Sequence, residues 1–462
     1  MGLLDKLLEL NIRLVDFECI RAPKIDANKM PPRLVAFGRY AGIAGAFDFL
    51  RGVGEYLLQK QFQTPFLIGS SYMYLDYEAM KQALARLAAN IKAGGMPRRL
   101  APMVFAVTGT GRVAQGAVEV LEQLPHVKVP PSQLRDFLAD PANASNNKQI
   151  IISLFASEDL AKPKDANAVF DKNHYYQHPE EYNGRFAEYL DLVTWLVNGI
   201  YWEAKYPRLL SKADLKSAVQ AGTNKLMGVT DISADYEGSV EFTSHFTSIE
   251  EPFMLYNSVT GEFRNKINEE MQENDILFTS VDHLPAEMPK EASNHFGSKL
   301  MPFVEAVVRS DFSKPFAEQS DLPEEIYNAI ITAHGSLTPD YQYIQMMREA
   351  NEAVSEKTDT ESFNLQGFTV CLIGHLFDNH SFSKCIDACE QNGVNFRVIE
   401  WAIGQSENQE TQVTIQCIAE MEPALDAARE RLNAICAENG VRMVEAQGPS
   451  FDKKLLRKLN AE

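Results

Sequence analysis

The sequence lacks any run of about 18 or more uncharged apolar residues, the length that a membrane-spanning helix needs. Basic residues are also scarce: 44 Lys and Arg stand against 63 Asp and Glu, which gives a formal net charge of −19. Such an acidic chain is poorly suited to bind nucleic acid or an anionic membrane. We therefore expect its main partners to be small molecules or other protein chains.

Cysteine is nearly absent before residue 371. Cys19 stands alone, and the other five are Cys371, Cys385, Cys389, Cys417 and Cys436. The N-terminal segment is amphipathic, carries acidic residues, and resembles neither a signal peptide nor a transit peptide. These features predict a reducing compartment, the cytoplasm, with a mitochondrial location still open if a targeting segment was lost.

The most informative stretch joins an apolar strand to a glycine-rich turn and a helix. Residues 102–108 are mostly apolar and lead into the pattern G-x-G-x-x-A at Gly109, Gly111 and Ala114. In dinucleotide-binding folds the first glycine permits a tight turn, the second lets the backbone approach a pyrophosphate, and the small third residue lets the helix pack on the sheet. The alternative is a plain strand-to-helix turn. We predict that the cofactor contacts are Gly109, Thr110, Gly111, Arg112 and Val113.

The choice between NADH and NADPH depends on the residues at the end of the second predicted strand, residues 126–129. An acidic residue about 20 positions after the fingerprint usually binds the ribose 2′-hydroxyl of NAD. Here the strand ends in Pro-Pro-Ser132, with Lys128 and Arg135 nearby in sequence. These cations, Arg112 and the Ser132 hydroxyl suit the 2′-phosphate of NADPH. We therefore predict NADP(H), with Ser132 as a further contact.

The length of 462 residues predicts two or three domains. Apolar runs alternate with helical patterns, and this alternation predicts a doubly wound parallel sheet, a Rossmann domain, over residues 96–288. The predicted strands are 149–155, 194–202, 225–233 and 276–281, and the predicted helices are 211–220 and 291–310. Residues 1–95, with a strand at 33–37 and a helix at 44–60, are predicted to join residues 289–351 in a separate α/β substrate domain. The polar residues 352–363 predict a linker.

Beyond the linker, residues 364–462 have a different pattern. Strands are predicted at 367–373, 395–403, 410–418 and 441–445, and helices at 381–391 and 422–439. The order β-α-β-β-α-β is typical of a ferredoxin-like α+β domain.

Three further motifs place polar residues near predicted strand ends or turns. They are Arg33-Leu-Val-Ala-Phe-Gly-Arg-Tyr-Ala-Gly42, Asp231-Ile-Ser-Ala-Asp235 and Ser280-Val-Asp-His-Leu-Pro285. Open α/β sheets bind ligands at the carboxyl ends of their strands, so Asp231 is a candidate cofactor contact. Either aspartate could equally cap a helix or a turn, and His283 could equally be a structural histidine.

Together with the glycine turn and residues 289–293, these motifs resemble lysine-ketoglutarate reductase, the saccharopine-forming part of the aminoadipate semialdehyde synthase family. They resemble the saccharopine dehydrogenases that form lysine more distantly. The resemblance covers residues 1 to about 350, including Asn198-Gly-Ile-Tyr-Trp-Glu203 and Thr338-Pro-Asp-Tyr-Gln-Tyr-Ile344. Residues 374–378 and 398–406 resemble the connecting domain of the plant-type bifunctional enzymes.

This resemblance implies an NADPH-dependent reductase of lysine catabolism. Its reaction condenses lysine with 2-oxoglutarate and reduces the imine to saccharopine. The implied fold is a Rossmann domain with a partial substrate domain like that of alanine dehydrogenase and transhydrogenase, followed by the ferredoxin-like domain. The resemblance also implies that Arg33 and Asp282 form a paired orienting site near the nicotinamide, with His283 beside them.

One departure from the family bears on activity. Met1 matches a point well inside the reductase, and in relatives the preceding segment supplies an acid, a base and a carboxylate-binding arginine. We therefore expect the isolated chain to be weakly active, and either a homo-oligomer or a second chain to complete the site. The alternative is a non-catalytic, nucleotide-binding regulatory or assembly subunit.

One group of residues calls for a metal test: His375, His380, Cys385 and Cys389. Zinc sites usually have tighter spacing, such as C-x2-C on a loop. We expect no metal there, and we expect the cysteines to lie on a helix face that is at least half-buried.

Overall fold

A computed structural model describes residues 2–24, 31–264, 271–348, 366–376, 381–402, 410–419 and 422–445. The chain divides into two compact units, residues 1–340 and 341–462. The expected linker at 352–363 lies outside the described residues, as does His380. In the part of the chain that is described, no helix combines the length and the apolar character that a membrane crossing requires.

The first unit alternates helices and strands along the chain. Its helices are α1 (Gly2–Glu9), α2 (Gly38–Gln59), α3 (Tyr77–Gly94), α4 (Arg112–Leu121), α5 (Pro131–Ala139), α6 (Pro141–Ala144), α7 (Ser157–Leu160), α8 (Lys172–Gln177), α9 (Lys212–Gln220), α10 (Pro289–Arg309) and α11 (Glu324–Tyr327). Its strands are β1 (Leu14–Val15), β2 (Val104–Thr108), β3 (His126–Lys128), β4 (Ile150–Phe155), β5 (Ala161–Pro163), β6 (Tyr182–Gly184), β7 (Trp195–Asn198), β8 (Gly228–Asp231), β9 (Met254–Asn257), β10 (Phe263–Arg264), β11 (Asp275–Thr279), β12 (Ile330–Ala333) and β13 (Ser336–Leu337).

The large sheet of this unit has the order β10-β9-β11-β8-β7-β2-β4-β3. From β11 to β3 the strands are parallel. At the other edge, β9 pairs antiparallel with both β11 and β10. Strand β2 is buried along its whole length, as expected for a parallel strand covered on both faces. Helices α2, α3 and α4 cover one face, and α5 and α9 contribute to the core on the other. The predicted doubly wound sheet is confirmed.

The strand order bears on the predicted NADP(H) contacts. Consecutive strands usually lie side by side in a sheet, but β3 does not lie next to β2. Instead β4 pairs directly with β2, and β3 lies beyond it at the sheet edge. Strand β4 therefore separates the residues after β3 from the glycine turn.

Residues 1–95 do not form one separate body. Helix α2 is buried on most sides and shares its apolar core with α3, α4 and the large sheet. By contrast, β1 pairs with β12, and Ile20 and Val35 pack with residues of α10 and α11. The segments before α2 and after residue 289 thus contact each other, whereas residues 38–94 belong to the layer that covers the sheet. The predicted strand at 33–37 is wrong: only Arg33 makes an isolated bridge, to Arg21.

The second unit contains β14 (Gln366–Gly374), α12 (Ser381–Gln391), β15 (Asn395–Ala402), β16 (Thr411–Ala419), α13 (Glu422–Glu438) and β17 (Arg442–Glu445). Its sheet is antiparallel with the order β15-β16-β14-β17. This is the predicted ferredoxin-like arrangement. Helix α12 contributes Cys385 and Cys389 to the core, α13 contributes Cys436, and β16 contributes Cys417. All four thiols are buried, so the two cysteines of α12 form part of a packed interior.

Candidate functional site

The glycine turn lies between the carboxyl ends of two neighbouring strands. Gly109 comes directly after β2 with φ of +91°, a left-handed conformation that favours glycine, and its N–H donates to Phe155 O at 2.9 Å. A Cβ added at Gly109 would lie 3.1 Å from the carbonyl oxygen of Gly199. The backbone of β4 therefore borders the turn on one side and the segment after β7 borders it on the other.

Gly111 is the N-cap residue of α4 and has no side chain to cap the helix. A Cβ added there would meet no protein atom within 4 Å, so this glycine faces open space. The first N–H groups of a helix lack intrahelical partners, and the helix dipole favours negative charge at this end. The turn can therefore receive an anionic group such as a pyrophosphate at close range.

Helix α2 holds α4 in place through two glycines. A Cβ at Gly42 would overlap the carbonyl oxygen of Val113, and a Cβ at Gly116 would overlap that of Arg39. Arg39 also donates two hydrogen bonds to the Glu119 carboxylate, at 2.9 and 2.7 Å. The motif that the sequence placed at residues 33–42 thus forms the start of α2 and supports the glycine turn from behind.

A buried chain of hydrogen bonds crosses the carboxyl ends of β2, β7 and β8. Thr108 Oγ1 donates to Asn198 Oδ1 at 2.7 Å, and Asn198 Nδ2 donates to Asp231 Oδ1 at 2.8 Å. Thr243 Oγ1 donates to the other Asp231 oxygen at 2.6 Å. Burial raises the pKa of Asp231 to about 6, while the bonds from Thr243 and Asn198 oppose that shift. Both Asp231 oxygens are thus engaged by the protein, and Asp231 fixes the strand ends.

The cations expected near the ribose have other partners. Lys128 forms an ion pair with Glu122. Arg135 holds both oxygens of Asp191, at 2.6 and 2.9 Å. Ser132 is exposed on α5, after the edge strand β3. Strand β4 is the neighbour of β2. The residues beside the glycine turn are therefore those that follow β4, residues 156–158, which include Glu158.

Asp282 and His283 lie just beyond the carboxyl end of β11, three strands from β2. Their side chains are largely exposed, and His283 Nε2 lies 3.3 Å from Asp282 Oδ2. Arg33 Nη1 lies 3.5 Å from Glu18 Oε2. No ion pair joins Arg33 to Asp282 among the described residues, so the implied pairing of these two side chains is not present. Arg33 precedes α2 on a different segment, which explains why it finds a local partner.

Sequence reasoning missed His295, which lies near Arg112 of the glycine turn. Burial lowers the pKa of His295 on α10, and the nearby charges of Lys299, Arg112 and Arg39 lower it further. The His295 ring lies 5.5 Å from that of Tyr40 on α2. His295 comes only two residues after the quoted motif at 289–293, but its nearness to the turn depends on how α10 packs.

A buried carboxyl pair, also missed, lies behind the end of β11. Asp48 on α2 accepts hydrogen bonds from Ser71 N and Ser71 Oγ, both at 2.7 Å. Its other oxygen and both Glu287 oxygens are buried without a well-aligned hydrogen bond, and the two carboxyl groups interact with each other. Burial raises the pKa of both, that of Glu287 to about 10, and Asp48 adds to the shift of Glu287. At neutral pH this pair retains at least one proton.

A cavity of about 650 Å³ lies at the amino ends of the strands, opposite the glycine turn. It is lined by residues that precede or begin the strands, including Pro102, Thr194, Met227 and Asp275. Open parallel sheets bind ligands at the carboxyl ends of their strands. The polar groups that could act on a ligand lie around the glycine turn, at the carboxyl ends of the strands, and we take this region as the site.

Several relatives and one family model are similar to this chain. Residues 368–456 match the LOR/SDH bifunctional enzyme conserved region. The chain is 36% identical over 455 residues to an alpha-aminoadipic semialdehyde synthase of Arabidopsis thaliana, covering 95% of this chain and 41% of that protein. It is 35% identical over 369 residues to the mitochondrial alpha-aminoadipic semialdehyde synthase of Mus musculus, covering 77% and 38%. It is 20% identical over 294 residues to a saccharopine dehydrogenase [NAD(+), L-lysine-forming] of Emericella nidulans, covering 63% and 62%. The chain thus spans about two fifths of the length of the two synthases.

Proposed function

We propose that the chain belongs to the family of the alpha-aminoadipic semialdehyde synthases and is a reductase that forms saccharopine from lysine and 2-oxoglutarate with a nicotinamide cofactor. The observation that carries the proposal is the glycine turn. It combines a left-handed Gly109, an open face at Gly111 and a helix N-terminus at the carboxyl end of the central strand. When bound, the nicotinamide supplies the hydride that reduces the imine.

The residues of the turn have distinct roles in this proposal. The backbone of Gly109, Thr110, Gly111 and Val113 binds the pyrophosphate, because the N-terminus of α4 favours negative charge. Arg112 is exposed at the same helix end and adds a positive charge. Asp231 acts as a positioning residue, since it holds Asn198 and through it Thr108 at the base of the turn.

Asp282, His283 and Arg33 are proposed to act on the substrate. Asp282 and His283 are close enough to exchange a proton and open enough to reach a ligand at the carboxyl end of β11. Arg33 would serve a substrate carboxylate only after leaving Glu18, a contact that is half-exposed and therefore weak.

The preferred cofactor is proposed to be NADPH. The support is Arg112, because a charged contact with a phosphate is worth about 1.5–3 kcal/mol. NADH is the alternative, and Glu158 favours it: a carboxylate beside the ribose accepts from the 2′-hydroxyl and repels a 2′-phosphate. Dissociation constants for both cofactors, measured on the parent and on Glu158→Gln, decide between them. Tighter NADPH binding by the parent supports the proposal, and tighter NADH binding that Glu158→Gln abolishes contradicts it.

Gly111→Val tests the site itself. The valine side chain meets no protein atom at its Cβ and adopts an ordinary backbone conformation, since φ is −78°, so the fold should be retained. A bound pyrophosphate would be blocked, and we expect cofactor affinity to fall by about a hundredfold or more, the loss of two or more charge-assisted hydrogen bonds. Gly94→Val is the matched control, because a Cβ at Gly94 also meets nothing within 4 Å. Equal cofactor affinity in parent and Gly111→Val, measured by calorimetry, would place the site elsewhere.

The alternative function is a nucleotide-binding subunit without catalysis. It is favoured by the absence of an Arg33–Asp282 ion pair among the described residues. An assay of NADPH and NADH oxidation with lysine and 2-oxoglutarate separates the two functions. Turnover that depends on both substrates supports the reductase. Cofactor binding without turnover supports the subunit.

A further inference from the structure

A second group of side chains, far from the glycine turn in sequence, has the composition of a metal site. Helix α8 carries His174, and His178 lies at its C-terminal end, four residues later. Their rings lie 4.9 Å apart between centroids, as expected for side chains on one face of a helix. Histidines at this spacing are a common arrangement for binding zinc.

Two carboxylates complete the group. Glu181 Oε2 lies 3.7 Å from His174 Nε2, and Glu180 Oε1 lies 3.4 Å from His178 Nδ1. Ligand atoms of His178, Glu180 and Glu181 all lie within 4.8 Å of one another. Imidazole nitrogen and carboxylate oxygen are both zinc ligands, and three or four of them form a complete or nearly complete coordination shell.

Hydrogen bonding orients His174 for this role. Tyr182 Oη lies 3.3 Å from the carbonyl oxygen of Asp171 and donates to it, so the hydroxyl can accept from His174 Nδ1 at 3.1 Å. With the proton of the neutral ring on Nδ1, the lone pair of Nε2 is available to a cation bound beside Glu181. Metal-binding histidines usually have their second nitrogen fixed in this way. An ordinary surface histidine requires no such orientation.

The surroundings leave room for a cation. The group borders a cavity of about 690 Å³ that is also lined by Asp165 and Asp171. The lining carries the carboxylates of Asp165, Asp171, Glu180 and Glu181 against one cation, Lys164. The local charge is negative, which favours a divalent cation over an anion.

We propose that His174, His178, Glu180 and Glu181 bind a zinc ion. The ion would join α8 to the turn at residues 178–181, and so fasten a segment whose Tyr175 packs on Tyr206, with ring centroids 5.3 Å apart. This role is structural and does not depend on the proposed reductase activity.

The test is zinc binding by the full chain after treatment with a chelator. Calorimetry should detect one zinc site, and His174→Ala and His178→Ala should each weaken it by about tenfold or more. Tyr182→Phe keeps the ring but removes the hydroxyl, and we expect it to weaken binding by about tenfold. His245→Ala is the control, because His245 is exposed on another part of the unit, and it should bind as the parent does.

Cobalt substitution keeps the outcome unambiguous. Bound Co²⁺ should give visible absorption typical of nitrogen and oxygen ligands, without the near-ultraviolet band of a cobalt thiolate. Glu181→Gln should weaken binding in the same way as the histidine variants, which guards against misfolding of any one variant. Absence of zinc binding, thiolate absorption, or equal affinity in the parent and in a variant that lacks both histidines would overturn the proposal.

Discussion

The carboxyl ends of the large sheet and the core of the ferredoxin-like unit differ in the groups that they bury. At the carboxyl ends of the large sheet, Thr108, Asn198 and Asp231 are buried and hydrogen-bonded to one another. The core of the ferredoxin-like unit instead buries thiols, among them Cys417, whose pKa is raised by contact with Cys389 and by burial. Buried polar groups need their partners, whereas thiols pack as small apolar groups. The difference indicates that the first region maintains a defined geometry around the glycine turn, and the second is an ordinary core.

The largest effect should come from separating the helices behind the turn. Gly116→Val would place side-chain atoms where the Arg39 carbonyl now lies, and neither backbone can move without disturbing the sheet. We expect the first unit to lose about 3 kcal/mol or more of unfolding free energy, at the upper end of overpacking effects. Urea denaturation monitored by far-ultraviolet circular dichroism measures this. Gly297→Val, at a helical position with no atom near the added Cβ, is the control, and an equal loss in both variants would contradict the close contact.

The next comparison uses two fully buried strand residues, one from each sheet. Asn198→Ala leaves Asp231 and Thr108 without their shared partner, and an unsatisfied buried polar group costs about 1–3 kcal/mol. Cofactor affinity should fall as well, because the base of the turn loosens. Cys417→Ala removes one sulfur from a packed core. We expect a loss of about 1 kcal/mol of unfolding free energy and an unchanged cofactor affinity. Equal effects of the two variants on cofactor affinity would show that the polar chain does not support the turn.

The carboxyl pair should make the unfolding free energy of the first unit depend on pH. Burial raises the pKa of Glu287 from 4.5 to about 10, so the unfolded chain releases this proton at lower pH than the folded chain. The contribution of this proton to the unfolding free energy is complete below pH 4.5 and is lost as the pH rises towards 10. Glu287→Gln cannot ionise, so the unfolding free energy of the first unit should fall less steeply with rising pH. A difference of one pKa unit corresponds to about 1.4 kcal/mol. If the unfolding free energies of parent and variant, measured by urea denaturation, changed with pH in the same way, Glu287 would not retain its proton in the folded chain.

The smallest effect should come from the exposed end of the glycine turn. Arg112→Gln removes a charge without disturbing the core, and stability should change by less than about 0.5 kcal/mol. Affinity for NADPH should fall by about tenfold or more, the weaker end of a charged contact, while affinity for NADH changes less. Fluorescence titration of both cofactors measures this. Equal losses for both would mean that Arg112 contacts only what the two cofactors share.

Local patterns predicted the glycine turn and the ferredoxin-like unit more fully than the rest of the fold. The glycine fingerprint identified the turn, and every strand and helix of the ferredoxin-like unit begins and ends within a few residues of its predicted position. Short elements of clear periodicity carry this information in their own residues. The resemblance to the family was likewise readable from motifs in order.

Contacts between segments that are distant in the chain were harder to predict from the sequence. Nothing in residues 126–128 shows that β3 lies at the edge, because strand order depends on how the connections cross the sheet. For the same reason Arg33 was assigned to Asp282 although it contacts Glu18. The pairing of Asp48 with Glu287 joins residues far apart in the chain, and neither residue is unusual in its own sequence context.

The glycine contacts between α2 and α4 limit where this chain can exchange segments with a relative. Any hybrid joined between Gln59 and Arg112 would combine α2 from one parent with α4 from the other. Their backbones touch without intervening side chains, so even small differences in helix angle between parents would not be absorbed. Hybrids joined after residue 340 divide the chain between its two compact units and avoid this conflict. Residues 38–121 should therefore be inherited as one block in functional chimeras.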